Sequence, residues 1–309
     1  MEFIHQMNIQ HDWSASTYNR FSRILRQLRQ FNERLTLADL NEDGLTKFVE
    51  YLANDTELHN ITIDHVISCV KMFLRWCYRK GYTEDHAYET FRQKLKIQKR
   101  KVIYLTEEEL FRLMDYEIPV GKAYLEHVRD VFVFMCFTGL RHSDAYNLHR
   151  SNIVNGDHLE ITTIKTGSNL TIELTEQSKA ILDKYKDCTF PEDRALPIIS
   201  NQRMNKYLKE LAMLVGLNEK VRMITYKGKE RIEKDYYKYE LISTHCARRT
   251  FVTIALSENI SPEVVMQWTG HSDYETMKPY IAITNTARAN SMIDLGHALE
   301  ARKCQRNIH

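Results

Sequence analysis

The sequence predicts a mainly α-helical protein with one small antiparallel β-sheet, an all-helical N-terminal domain preceding a larger mixed α+β domain. Three observations carry this. Apolar residues recur at three- and four-residue spacing through most of residues 14–91, a single stretch near 153–174 reads as short strands joined at turn residues, and a run of cations separates the two regions. At 309 residues the chain is long enough for two domains that each bury a core.

The helices follow in order. Ser14 to Thr17 offer N-cap oxygens, after which Tyr18, Phe21, Ile24, Leu25, Leu28 and Phe31 form one apolar face. Arg20, Arg23, Arg26 and Arg29 fan over the other side, most simply a solvated surface and otherwise a set of phosphate contacts. A second helix is expected over Asn41–Ala53. A third is expected over Ile61–Lys80, with Val66, Val70, Phe73, Leu74 and Cys77 inward and Gly81 closing it; a short one follows over Glu84–Phe91. Arg92, Lys94, Lys96, Lys99, Arg100 and Lys101 then crowd together without one acid. Such a run is a solvated linker, or a set of cations following a nucleic-acid backbone, where each neutralised phosphate releases counterions. The chain therefore divides into a helical domain (1–91), a basic linker (92–103) and a second domain (104–309).

That second domain opens on Thr106-Glu-Glu-Glu, a capping-box pattern. An apolar helix over Tyr124–Cys136 should be buried on more than one face. It ends at Thr138-Gly139, so Arg141 emerges from a tight turn ahead of a short helix over Ser143–Leu148. Arg141 reads either as a structural ion-pair partner of Asp144 or as a site residue. The β signal comes next: Ile153-Val154, the hairpin dipeptide Asn155-Gly156, His158–Ile164, a turn at Lys165–Ser168, and Leu170–Leu174. Lys165 lies at the tip of the second hairpin, where a lysine ordinarily just faces solvent. Helices over Glu176–Tyr185 and Asn201–Val215 flank a loop punctuated by Pro191 and Pro197. Lys220–Leu241, rich in Lys, Arg and Tyr and broken at Gly228, reads as a long basic hairpin or loop. Helices over Thr244–Leu256 and from Pro262 to Gly270 precede a terminal amphipathic helix over Asn285–Ala301.

Composition narrows the class. No apolar run approaches the ~18 residues of a membrane span, and the N-terminus lacks the basic-then-apolar plan of a secretory signal. Cys69, Cys77, Cys136, Cys188, Cys246 and Cys304 are scattered without a C-x-x-C pair, which fits reduced thiols in a cytoplasmic protein. A net charge of +2 does not announce nucleic acid by itself; the distribution of charge has to.

Candidate chemistry gathers late in the chain. His245 and Arg248, three apart, share a helix face. His271 follows Gly270 at a helix end, and Tyr280 lies beyond Pro279, which limits the preceding helix. Such donors beside a phenol suit chemistry on a phosphate, and Arg141 adds a second guanidinium. A phenol of ordinary pKa, near 10, is about one part in a thousand ionised at pH 7; paired arginines favour both the phenolate and a pentavalent transition state. Arginine meets phosphate oxygens with a planar, permanently charged fork. Lysine can yield a proton when neighbouring cations lower its pKa, as a general acid must. A zinc site at His245, Cys246 and His271 is disfavoured, because adjacent residues point apart on a helix.

In order and spacing, T-G-L-R-H-S-D (138–144), Lys165 on a β-hairpin, H-C-A-R (245–248), G-H-S (270–272) and Tyr280 resemble the tyrosine recombinase (phage integrase) family, over essentially the whole chain. The resemblance implies a helical core-binding, SAM-like domain followed by a catalytic domain of the tyrosine recombinase type. It implies that Tyr280 attacks a DNA phosphodiester to form a 3′-phosphotyrosine, that Arg141 and Arg248 hold the non-bridging oxygens, and that Lys165 protonates the departing 5′-oxygen. His245 would assist proton transfer, His271 would donate a hydrogen bond to the phosphate, and Asp144 would support the first arginine. Neither ATP, metal nor other cofactor is implied. Double-stranded DNA would be the partner, met by Arg20, Arg23, Arg26, Lys94, Lys96, Lys99, Arg100 and Lys101. The active assembly would be a homo-tetramer on paired sites, weakly associated without DNA. Arg249 stands where the family often has His, and I-A-I follows the nucleophile where T-H-V is frequent; neither carries a catalytic role. A single helical DNA-binding domain fits a simple recombinase or a piece of a longer chain. Two rivals remain at this point, a type IB topoisomerase using the same residues and a helical DNA-binding regulator without catalysis.

Overall fold

A computed structural model of the chain describes residues 2–98 and 101–281. It contains two compact units, one of residues 1–100 with 222–235, the other of residues 101–221 with 236–309.

In the helical unit, α1 (Glu2–His11), α2 (Ala15–Phe31), α3 (Glu42–Asn54), α4 (Asn60–Arg79) and the single turn α5 (Ala87–Thr90) wrap one core. Ser14 and Asn41 cap α2 and α3 through their side chains, each accepting from a backbone N–H. The core is built on Leu45, Phe48, Leu52, Ile63 and Ile67, all fully buried. The α2 periodicity holds, except that Tyr18, placed on the apolar face by spacing, is 39% exposed. Helix α1 has no counterpart among the expected elements. Its Phe3 and Ile4 seat against Phe21, where Trp13 stacks on Phe21 at 4.4 Å. The outer part of a hairpin, β4 (Lys220–Lys227) and β5 (Glu230–Tyr237), also belongs to this unit. The side chain of the buried Asn60 accepts from Gly228 N (2.7 Å) and donates to Gly228 O (2.8 Å) and Lys96 O (3.0 Å).

The second unit is organised around α7 (Tyr124–Thr138), whose Val131, Phe132, Phe134 and Met135 are fully buried. Around it lie α6 (Glu107–Met114), α8 (His142–Tyr146), α9 (Glu176–Lys184), α10 (Asn201–Leu214) and α11 (Lys238–Leu241). They are joined by α12 (Thr244–Ser257), α13 (Pro262–Thr269) and α14 (Lys278–Ile281). The Thr106 capping box forms with Glu109. Glu109 also meets Lys238 at 2.5 Å in a buried ion pair. The expected three-stranded sheet is present, antiparallel in the order β1 (Ile153–Val154), β2 (His158–Thr162), β3 (Asn169–Glu173). Pairing of Ile161 with Leu170 and of Thr162 with Asn169 fixes the mouth of the second hairpin. Pro279 lies in the first turn of α14, where a missing N–H costs nothing, and the α-helix before it has already ended at Thr269. The terminal helix expected over Asn285–Ala301 lies outside the described residues.

Candidate active site

Helix α12 supplies two of the groups. Arg248 is only 2% exposed, yet its burial has an electrostatic rationale. Nη1 donates to the carbonyl of Gly139 at 2.9 Å and Nη2 to that of Thr269. Gly139 caps α7 and Thr269 is the last residue of α13. The guanidinium thus bridges two helix C-termini, where carbonyls lack helical partners and the macrodipole favours a cation. Desolvation, then the Arg141 charge, still push Arg248 down to about 9, which leaves it protonated at neutral pH. His245, three residues earlier, keeps an exposed edge while neighbouring side chains strip water from part of its ring. That desolvation, followed by the fields of Arg249, Arg248, Arg141 and Lys165, pushes its pKa to about 4. Cys246 between them is fully buried.

Arg141 enters from the turn after α7. Gly139 makes that turn possible: its φ is +67°, and a Cβ there would meet Phe251 Cδ1 at 2.6 Å. Arg141 Nη1 lies 3.9 Å from Asp144 Oδ2, an ion pair beyond hydrogen-bond reach. Both atoms are buried without a hydrogen-bond partner among the described residues. The other carboxylate oxygen, Oδ1, accepts the backbone N–H of Ile164 at 3.0 Å. Asp144 therefore connects the Arg141 turn to the residue preceding Lys165. The loop that carries Lys165 is closed by the buried Thr163, whose N–H donates to Ser168 O (2.9 Å) and whose hydroxyl oxygen accepts from Ser168 N (3.0 Å). Lys165 itself is exposed at the tip.

Gly270, at φ +60°, caps α13 and releases His271 toward Arg248, with Nε2 3.2 Å from Nη2. Burial, then Arg248, Arg141 and His245, push His271 to about 4 as well. Tyr280 sits half-buried on α14, packed against the cluster of Val252, Val265 and Met277. Arg141 and Tyr280 both lie within electrostatic reach of Arg248, and Lys165 within reach of His245. Six residues, two of them on α12 and the others from four further segments, thus share one electrostatic neighbourhood. Two guanidiniums there repel each other, and an anion between them would relieve that repulsion.

With this geometry in place, comparison with known proteins is decisive. The phage integrase family model matches residues 104–286, more than half of the chain, and a phage integrase SAM-like domain matches residues 1–97. The chain belongs to the phage integrase family of tyrosine recombinases. It is accordingly a DNA breaking-rejoining enzyme of site-specific recombination. A tyrosine recombinase of Pseudothermotoga lettingae is 20% identical over 265 residues, spanning 84% of this chain and 83% of its own. A crystal structure of a lambda integrase (75–356) dimer bound to a COC′ core site has the same fold, with a TM-score of 0.68 at 15% identity over 91% of this chain and 93% of that one. A lambda integrase tetramer bound to a Holliday junction matches at a TM-score of 0.66 and 15% identity, over 90% of this chain and 75% of that one. The Tn1549 transposon integrase with circular intermediate DNA matches at 0.64 and 14% identity, over 89% and 92% respectively.

The recombinase's expected DNA contacts are distributed unevenly. Arg20, Arg23 and Arg26 are exposed on α2, and Lys94, Lys96 and Lys101 are exposed along the linker, whereas Lys99 and Arg100 lie outside the described residues. Sequence reasoning missed a second basic group in the helical unit. Arg75 is exposed on α4, and the half-buried Lys71, whose Nζ donates to the Phe91 carbonyl at 2.9 Å, lies near Arg92, so that desolvation and then these two arginines lower the Lys71 pKa. The i, i+4 spacing of Lys71 and Arg75 was the available signal. The 220–238 excursion is less open to DNA than its composition suggests. Arg222 is paired with Asp235 and Glu233, Arg231 with Glu233, Lys227 with Glu57, and Lys238 is buried against Glu109.

Proposed function

We propose that this recombinase cuts and rejoins double-stranded DNA through a 3′-phosphotyrosyl intermediate on Tyr280, without ATP or metal. The observation that carries the reading is the pair of guanidiniums beside that phenol, with the buried Nη1 of Arg141 lacking a hydrogen-bond partner among the described residues. Such a donor gains a full charge-assisted bond from a phosphate oxygen. In the forward step the Tyr280 oxygen bonds to phosphorus and the P–O5′ bond breaks. The phenolic proton passes to the neutral His245, and Lys165 delivers a proton to the 5′-oxygen. Arg141 and Arg248 neutralise the charge that builds on the non-bridging oxygens. A 5′-hydroxyl from either strand reverses the sequence. One phosphodiester is exchanged for another, so no external energy source is needed.

The exposed cations of α2, α4 and the linker are the proposed backbone contacts, which position DNA without reading its sequence. Integration or excision of a mobile element by a tetramer on paired sites follows the lambda and Tn1549 integrases, the first seen as a tetramer on a Holliday junction. The test is a nicked suicide substrate carrying the enzyme's site. Wild type should accumulate a covalent protein–DNA adduct and Tyr280→Phe none. No adduct with either protein would favour a non-catalytic binder. Relaxation of supercoiled plasmid without strand exchange between sites would favour the topoisomerase.

A further inference from the structure

Helix α12 begins without a cap of its own. Ser243 occupies the N-cap position, yet its side chain accepts no backbone N–H there, and its hydroxyl lies 3.6 Å from Cys246 Sγ instead. The cap comes from another helix. Thr244 N–H donates to Oδ1 of Asn205, on α10, at 2.8 Å, and the Thr244 hydroxyl donates to Oδ1 of Asn201 at 2.8 Å. A backbone N–H only donates, so the Asn205 oxygen must face it. That leaves Asn205 Nδ2 to donate to Asn201 Oδ1 at 3.2 Å, and the three side chains close one consistent set. Thr244 is 5% exposed, so a lost partner is not simply replaced by bulk water. The same segment reaches the other arginine. Two residues before Asn201, the carbonyl of Ile199 accepts from Nε2 of His142 at 2.9 Å, and His142 directly follows Arg141. Residues 199–205 therefore hold the turn that delivers Arg141 at one end and the first turn of the helix that delivers His245 and Arg248 at the other.

We propose that Asn201 and Asn205 are positioning residues for strand cleavage: from the head of α10 they fix the first turn of α12, and with it His245 and Arg248, relative to the Arg141 turn. The proposal rests on the phosphotyrosyl reading for its catalytic consequence, but the brace stands on the contacts alone. Both asparagines act through Thr244, the residue before His245. Two guanidiniums that repel each other do not settle side by side unaided, so their spacing has to be imposed by the elements that carry them. A misplacement of about 1 Å among groups that share one phosphate can cost roughly a hundredfold in rate. Without the Asn205 oxygen, the Thr244 N–H is left buried and unpaired, and the first turn of α12 can relieve that only by opening toward water.

The test uses the full chain and pairs single-turnover cleavage of the nicked substrate, at saturating DNA, with hydrogen exchange at the Thr244 amide measured without DNA. In wild type that amide should be protected. In Asn205→Ala it should exchange freely while the cleavage rate constant falls about tenfold or more at unchanged DNA affinity. A merely structural loss lowers the fraction of enzyme that reacts and leaves that constant alone. Thr244→Val and Asn201→Ala each remove the hydroxyl bond and should slow cleavage about fivefold, with the double variant little slower than either. Thr244→Ser, which keeps the hydroxyl, should match wild type. A Thr244 amide that stays protected in Asn205→Ala would overturn the proposal, as would Asn205→Ala cleaving at the wild-type rate. Should Asn205→Ala not fold, the Thr244 pair decides, and Thr244→Val as fast as Thr244→Ser overturns it. A wild type that forms no adduct overturns the cleavage reading, and the exchange data still decide whether the asparagines brace α12.

Discussion

Arg248 performs two tasks, and they respond differently to substitution. Its bonds to Gly139 and Thr269 join two helix ends, while its charge faces the site shared with Arg141 and Tyr280. Lysine preserves the charge but not the fork. Arg248→Lys should therefore cost about 3–4 kcal/mol of transition-state stabilisation, read as a fall of roughly 10²–10³ in single-turnover cleavage with DNA binding retained. Cleavage near the wild-type rate would show that bidentate geometry is unimportant here. The histidines give a second prediction at this scale. His245 and His271 have folded pKa values near 4, below the ordinary 6.5, so between these limits the unfolded chain binds protons that the folded chain does not. Stability should hold above about pH 6.5, decline as pH falls toward 4, and lose this dependence below. Urea titrations from pH 4 to 7 should find a shallower decline in His271→Gln than in wild type; identical slopes would mean that His271 titrates normally in the folded state.

The helices and turns differ in how far they can be anticipated from the chain alone. Gly139 and Gly270 were readable as helix stops because positive φ leaves few alternatives, and both turns hand a site residue onward. Packing separates such glycines. At Gly81, φ +71°, an added methyl would have nothing within 4 Å, whereas at Gly139 it would strike the Phe251 ring at 2.6 Å. Gly81→Ala should cost about 1 kcal/mol, the backbone penalty alone, and Gly139→Ala about 2–4 kcal/mol with a slower cleavage step, because the Arg141 turn must shift. Equal costs in urea unfolding would refute the packing component. Other elements were hidden for physical reasons. Helix α1 depends on an aromatic cluster with Trp13, Phe21, Phe73 and Trp76, partners that local periodicity does not reveal. Pro279 limits the helix before it, but that it also sits in the first turn of α14 is not visible from the sequence. The candidate site residues were singled out by type and spacing, but the Asp144 bond to Ile164 and the Thr269 bond to His271 are made by folding and carry no local pattern.

The largest feature hidden from linear reading concerns how the polypeptide is shared out. The chain passes between the two units at 100/101, 221/222 and 235/236, so the helical unit is discontinuous in sequence. Its completeness depends on Asn60, 1% exposed on α4, whose amide satisfies both backbone groups of Gly228 and the carbonyl of Lys96. A buried amide stripped of such partners carries its full desolvation cost. Asn60→Ala should lower the stability of this unit by about 2–3 kcal/mol and remove hydrogen-exchange protection at the Gly228 amide, since that N–H would lose the Asn60 acceptor. An excised fragment 1–100 should show the same deficit without any substitution, because it retains Asn60 and lacks 222–235. If the fragment matched the stability of the unit within the full chain, or if Gly228 stayed protected in Asn60→Ala, the hairpin would be an accessory to the helical unit and Asn60 would not be what holds it there.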